Sequence, residues 1–134
     1  MAATLVDANV LIDVLTEDEA WFEWSAAMLE LSAHQGSLVI NPIIYAEVSL
    51  GFTRIEDLDE ALPSRYYRRA ELPWAAGFLA AKAFFRYRRA GGVRRTPLPD
   101  FYIGAHAAIA GLTLLTRDAK RYRTYFPTVR LLAP

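Results

Sequence analysis

The 134-residue chain contains no cysteine. Neither disulfides nor cysteine-bound zinc can hold it together, so its stability has to come from an apolar core. A reducing cytoplasm suits that composition. No apolar run approaches the roughly 18 residues of a membrane span, which leaves no reason to expect a membrane anchor. The segment Met1 to Asp7 has no basic n-region and meets an acid too early for a signal peptide, so a soluble cytoplasmic protein is expected. Basic residues are scarce in the first half: from Met1 to Leu62, Arg54 stands alone against 12 acids. Acids are scarce in the rest, where only Glu71, Asp100 and Asp118 face 14 basic residues. The formal net charge of zero is therefore an average of segments near −11 and +11. Lysine is rare too, since 13 of the 15 basic residues are arginine. With 54% hydrophobic residues the chain suits one compact domain over residues 1–134, which argues against disorder and against a two-domain enzyme.

Short uncharged runs alternate with helical periodicity. Thr4-Leu5-Val6, Leu38-Val39-Ile40 and Thr113-Leu114-Leu115-Thr116 read as strands buried on both faces, and Val129-Arg130-Leu131-Leu132 as an edge strand. Helices are expected over Asn9 to Leu15, Asp18 to His34 and Pro42 to Gly51, the last capped by Asn41. A short acidic helix from Arg54 to Leu62 precedes longer ones over Pro73 to Arg89 and Asp100 to Ala110, and a final helical segment covers Asp118 to Tyr125. Trp21, Trp24, Met28 and Leu31 fall on one stripe of the second helix, a mostly core face with spare apolar area for a partner helix. There are no internal repeats and no dividing linker. The alternation predicts an α/β fold with a mostly parallel sheet, in which ligands bind beyond the carboxyl ends of the strands.

Four acids fall at that edge. Asp7 follows the first strand directly, Asp118 lies two residues beyond the third, and Asp100 opens the helix feeding the third. Glu47 sits about one and a half turns into the helix after the second strand, among Ile43, Ile44, Val48 and Leu50. Taken singly, Asp7, Asp100 and Asp118 each suit a helix N-cap, but Glu47 has no capping role and needs a partner. Converging carboxylates repel and raise one another's pKa, and a divalent cation resolves the conflict. All-oxygen ligation favours Mg²⁺ or Mn²⁺ over zinc. The chemistry such a site most often performs is metal-assisted phosphodiester hydrolysis.

Four blocks carry a family likeness: Leu5-Val6-Asp7-Ala8-Asn9-Val10-Leu11-Ile12; Asn41-Pro42-Ile43-Ile44-Tyr45-Ala46-Glu47; Pro99-Asp100 leading Ile103-Gly104-Ala105-His106-Ala107; and Leu114-Leu115-Thr116-Arg117-Asp118. In that order and spacing they resemble PIN-domain nucleases, most closely the VapC-type toxins of prokaryotic toxin–antitoxin pairs. The resemblance covers essentially the whole chain. It implies a three-layer α/β/α PIN-like domain in which Asp7, Glu47, Asp100 and Asp118 form the metal site of a Mg²⁺- or Mn²⁺-dependent endoribonuclease leaving 3′-hydroxyl and 5′-phosphate ends. It also implies that Asn9 and Thr116 position the acids or the attacking water, and that the partners are RNA, a cognate antitoxin and a second copy of the chain. Two positions depart from the family pattern: Ala8 replaces a small hydroxyl residue, and Phe101 follows Asp100 where a smaller residue is frequent.

Lys82, Arg86, Arg88, Arg89, Arg94 and Arg95 interleave with Phe84, Phe85 and Tyr87, a composition suited to phosphate contact and base stacking or to a solvated helix end. A second basic group, Arg117, Lys120, Arg121 and Arg123, begins beside Asp118. Arg86, Arg89, Arg117 and Arg121 are the candidate substrate contacts. His106 is expected to be structural, and His34 to meet a helix dipole. A non-catalytic PIN-like module that binds RNA or protein is the competing reading. A phosphoacceptor receiver domain fits poorly, because Asp7 is a single acid and Arg117 stands where a lysine is needed.

Overall fold

The computed structural model describes residues 3–134; Met1 and Ala2, the first two residues of the segment read for a signal peptide, lie outside the described residues. Five parallel strands form one sheet in the order β3-β2-β1-β4-β5: β1 (Thr4–Val6), β2 (Leu38–Ile40), β3 (Tyr67–Arg69), β4 (Thr113–Leu115) and β5 (Leu131–Leu132). The helices are α1 (Ala8–Leu15), α2 (Phe22–Gln35), α3 (Pro42–Ser49), α4 (Ile55–Ala61), α5 (Trp74–Arg89), α6 (Pro99–Ala110) and α7 (Lys120–Tyr125). This is the expected α/β/α architecture. The chain winds outward from β1 to β3 in one direction, then returns to place β4 on the other side of β1. With right-handed crossovers the two runs of helices cover opposite faces. The reversal leaves a crevice at the carboxyl ends of β1 and β4. Among the described residues no helix is long and apolar enough to cross a membrane.

The three inner strands are buried at every position, which is why their sequences carry no charge. Strand β3 departs from the sequence reading, which left Tyr67-Arg68-Arg69 without an element. It is an edge strand paired only with β2, and its two arginines are exposed, so no hydrophobic alternation marks it. At the other edge β5 is shorter than expected.

Helix α2 also begins later than predicted. Asp18 does not open it; its Oδ2 accepts from the backbone N–H of Ala20 at 3.1 Å and Trp21 at 2.9 Å, closing a turn after the left-handed Glu17. The deepest side chains of α2 are Ser25, Leu29 and Ser32; Trp21, Trp24 and Met28 are half-buried and Leu31 is exposed. The aromatic stripe therefore flanks the core and does not fill it.

Small residues set the packing of α5 on α6. Ala76, Ala80 and Ala83 are fully buried, a ridge that lets the helices approach closely. On α6, Gly104 is required because a Cβ there would collide with the ring of Phe126. His106 is structural, as expected: it is buried, and its Nδ1 lies 2.9 Å from Asn41 Nδ2, while Asn41 Oδ1 caps α3 by accepting from Ile44 N–H at 2.9 Å. The pair fixes the start of the helix that carries Glu47. His34 lies exposed on the last turn of α2, 3.9 Å from Glu30.

Candidate metal centre

Asp7, Glu47, Asp100 and Asp118 line one cleft of about 210 Å³, together with Ala8, Asn9, Ile12, Ile103 and Tyr122. The cleft lies where the strand order reverses. Asp7 and Glu47 come from the acidic first segment and Asp100 and Asp118 from the basic remainder, so folding assembles the acids from both halves.

Asp7 is the most constrained of the four. It caps α1, its Oδ1 accepting from Ala8 N–H at 2.8 Å, so the cap expected as an alternative role coexists with its place in the cleft. Its Oδ2 accepts from Thr116 Oγ1 at 2.8 Å and from the Tyr122 hydroxyl at 2.9 Å. Burial raises its pKa, and the charge of Asp100 adds to this; the three hydrogen bonds oppose the shift without cancelling it. Thr116 also accepts from the backbone N–H of Asp118 at 3.1 Å and from Asn9 Nδ2 at 3.3 Å. Asn9 Oδ1 accepts from Arg117 N–H at 3.3 Å. Asn9 and Thr116 thus tie the end of β4 to α1, holding the backbone of Asp118 beside Asp7.

Glu47 makes no hydrogen bond among those described. Burial, then the charges of Asp7 and Asp100, push its pKa up to about 7. Asp118 is exposed and lies at the rim, neither capping α7 nor opening it. Asp100 lies in the first turn of α6 without capping it, and its Oδ2 accepts from Arg121 Nη1 at 3.0 Å.

Among the described residues no three His, Cys, Asp or Glu side chains are gathered tightly enough to enclose an ion by themselves. The donors are all oxygens along an open cleft. That set fits Mg²⁺ or Mn²⁺, which keep several waters and need only one or two carboxylates directly.

The protonation of Glu47 has a measurable consequence. Its folded pKa is raised, so the folded, metal-free protein retains a proton that the unfolded chain has released. The associated stability is complete below about pH 4.5 and is lost as pH rises through about 7. After allowing for screening of this partly exposed group, wild type is expected to lose about 1–2 kcal/mol more than Glu47→Gln between pH 5 and 8. Urea unfolding in EDTA measures this. The variant pair cancels the opposite contribution of His106, whose pKa burial lowers.

Sequence reasoning missed two buried groups. Tyr122, on α7, is one; its phenol pKa is driven well above 10 by burial and by the neighbouring carboxylates, so it stays a donor to Asp7. The other is Asp13, whose Oδ2 accepts from Ser25 Oγ and from Arg117 Nε, each at 2.8 Å. Its spacing of four from Asn9 on α1 was the available signal. Arg117, expected among the phosphate contacts, pairs with Asp13 and lies over the ring of Trp21. Arg86 donates to the Tyr125 carbonyl at 3.1 Å, and Arg89 lies exposed over Phe85. Arg121, besides pairing with Asp100, rests on the rings of Tyr87 and Phe101. Phe101 itself is fully buried beneath that arginine, so the unusual residue at this position does not narrow the cleft.

The sequence profile of the PIN domain matches residues 4–127. The chain belongs to the PIN domain family. Solved structures with this fold include VapBC2 from Rickettsia felis bound to a DNA fragment from its promoter, with a TM-score of 0.76, 18% identity and 98% of each chain covered. VapBC-1 from nontypeable Haemophilus influenzae follows at TM-score 0.73 and 16% identity, over 98% of this chain and 97% of that one. A toxin–antitoxin complex from Klebsiella pneumoniae aligns at TM-score 0.64 and 21% identity over 89% of each chain. No curated protein is detectably similar in sequence. At these identities the neighbours establish the PIN fold; the chemistry rests on the cleft.

Proposed function

We propose that this PIN domain is a Mg²⁺- or Mn²⁺-dependent endoribonuclease of the VapC type, the toxin of a toxin–antitoxin pair. The observation that carries the reading is the convergence of Asp7, Glu47, Asp100 and Asp118 on one cleft, where burial and then the charges of Asp7 and Asp100 push the Glu47 pKa up to about 7. The residues that would hold the ion are these four acids. When bound, the ion supplies an activated water and neutralises charge growing on the phosphate. Asp7 presents a carboxylate whose orientation is set by Thr116, Tyr122 and the α1 N-terminus. Arg121 keeps Asp100 paired at the cleft mouth.

An antitoxin partner is supported by the VapBC and toxin–antitoxin complexes that share the fold. The half-buried Trp21, Trp24 and Met28 stripe offers such a partner apolar area. A homodimer completes the proposed assembly.

The test is incubation of purified, antitoxin-free protein with cellular RNA. Cleavage to 3′-hydroxyl and 5′-phosphate ends is expected with Mg²⁺ or Mn²⁺ and is expected to stop in EDTA. RNA binding without cleavage under any divalent ion would favour a non-catalytic module instead.

A further inference from the structure

The acid cleft continues into a second cavity of about 420 Å³ that shares Asp100 and Asp118 with it. The remaining wall comes from α7 and the last turn of α5, chiefly Tyr87, Lys120, Arg121 and Tyr125. Beyond the two shared acids this wall carries two cations and no further carboxylate. We propose that this groove is the subsite for single-stranded RNA next to the scissile bond, with Lys120 and Arg121 on the phosphates and a base stacked on Tyr125. The inference rests on the ribonuclease reading and adds to it the path of the strand.

Three features of the groove favour RNA. Arg121 is fixed before any ligand arrives, by its ion pair to Asp100 and by the aromatic floor of Tyr87 and Phe101. Little side-chain entropy is then lost on binding, and its guanidinium has more donors than the one directed to Asp100. Tyr87 serves as floor, since it stacks on Phe84 with an interplanar angle of 25° and carries Arg121. Tyr125 meets Tyr87 at 73° and Phe101 at 51°, and as a half-buried ring on the groove wall it is placed to stack a nucleobase. The sharing of Asp100 and Asp118 makes the groove continuous with the acids, so a strand lying in it delivers its backbone to them.

The experiment measures fluorescence anisotropy of a short, dye-labelled, 2′-O-methyl oligouridylate with the full chain in EDTA. Lys120 is exposed, so Lys120→Glu leaves the fold intact; it is expected to weaken binding about tenfold and to reduce the slope of log affinity against log salt by about one. Tyr125→Leu is expected to weaken binding roughly fivefold. Arg65→Glu, an exposed position just before β3 at the opposite edge of the sheet, is the control and is expected to stay within about twofold. Equal effects of Lys120→Glu and Arg65→Glu would overturn the proposal, as would displacement of the oligonucleotide by polyglutamate at matched charge, which would assign the groove to an acidic protein segment. Cleavage of unmodified RNA by wild type in Mn²⁺ is scored alongside. Cleavage with oligonucleotide binding indifferent to Lys120→Glu rejects the groove alone, whereas wild type that neither binds nor cleaves RNA rejects the ribonuclease reading with it.

Discussion

Asp7→Asn is expected to lower metal-dependent RNA cleavage by about a thousandfold or more while the protein stays folded. The substitution keeps the shape of the side chain and removes its charge. Asp7 sits at the centre of the cleft, with one oxygen on the α1 N-terminus and the other on Thr116 and Tyr122. In the variant the amide oxygen can keep Ala8 N–H and the amide nitrogen can donate to a reoriented Tyr122 hydroxyl, whereas Thr116 Oγ1, which already accepts from Asp118 N–H and Asn9 Nδ2, loses its bond to this side chain. Loss of one good hydrogen bond is offset by removal of a buried charge, so unfolding free energy is expected to change by no more than about 1 kcal/mol. Cleavage assays paired with urea unfolding separate the two effects. A variant that unfolds would make Asp7 a structural acid; one that cleaves normally would remove it from the chemistry.

Phe101→Ala is expected to destabilise the protein by about 3–5 kcal/mol, a large share of the stability of a domain this size. Phe101 is fully buried at the first turn of α6. Its ring centroid lies 5.7 Å from that of Phe84, 5.5 Å from Tyr87, 5.6 Å from Tyr125 and 6.4 Å from Phe126. Truncation removes the centre of this cluster and leaves a cavity between α5, α6 and α7. It also removes half of the aromatic floor under Arg121, next to Asp100. Unfolding in urea reads the first effect. A loss below about 1 kcal/mol would mean that the cluster collapses around the gap and that Phe101 is not its keystone.

The parts of this architecture that are legible in the sequence are those whose signal is local. Strands β1, β2 and β4 announce themselves because burial on both faces forbids charge, and Asp7 and Asp118 then stand out as acids just beyond a strand end. Glu47 is conspicuous because an unpaired acid among Ile43, Ile44 and Val48 has no local use. Strand β3 is illegible for the opposite reason: an edge strand with exposed arginines needs only the backbone of β2. The hydroxyl of Tyr122 reads as an ordinary helix aromatic until the fold places it against Asp7, 115 residues away. Arg117 and Arg121 look alike in sequence, yet one is engaged by the buried Asp13 and the other lies at the cleft mouth. Their difference depends on carboxylates 104 and 21 residues distant.

In the proposed centre, four acids gathered from two oppositely charged segments hold a divalent cation. Calorimetric titration of Mn²⁺ into metal-free wild type and Asp7→Asn at neutral pH tests it most directly. Wild type is expected to bind saturably, with protons released as Glu47 ionises, and the variant is expected to lose that binding. Equal binding by both proteins, or no binding by wild type, would contradict it.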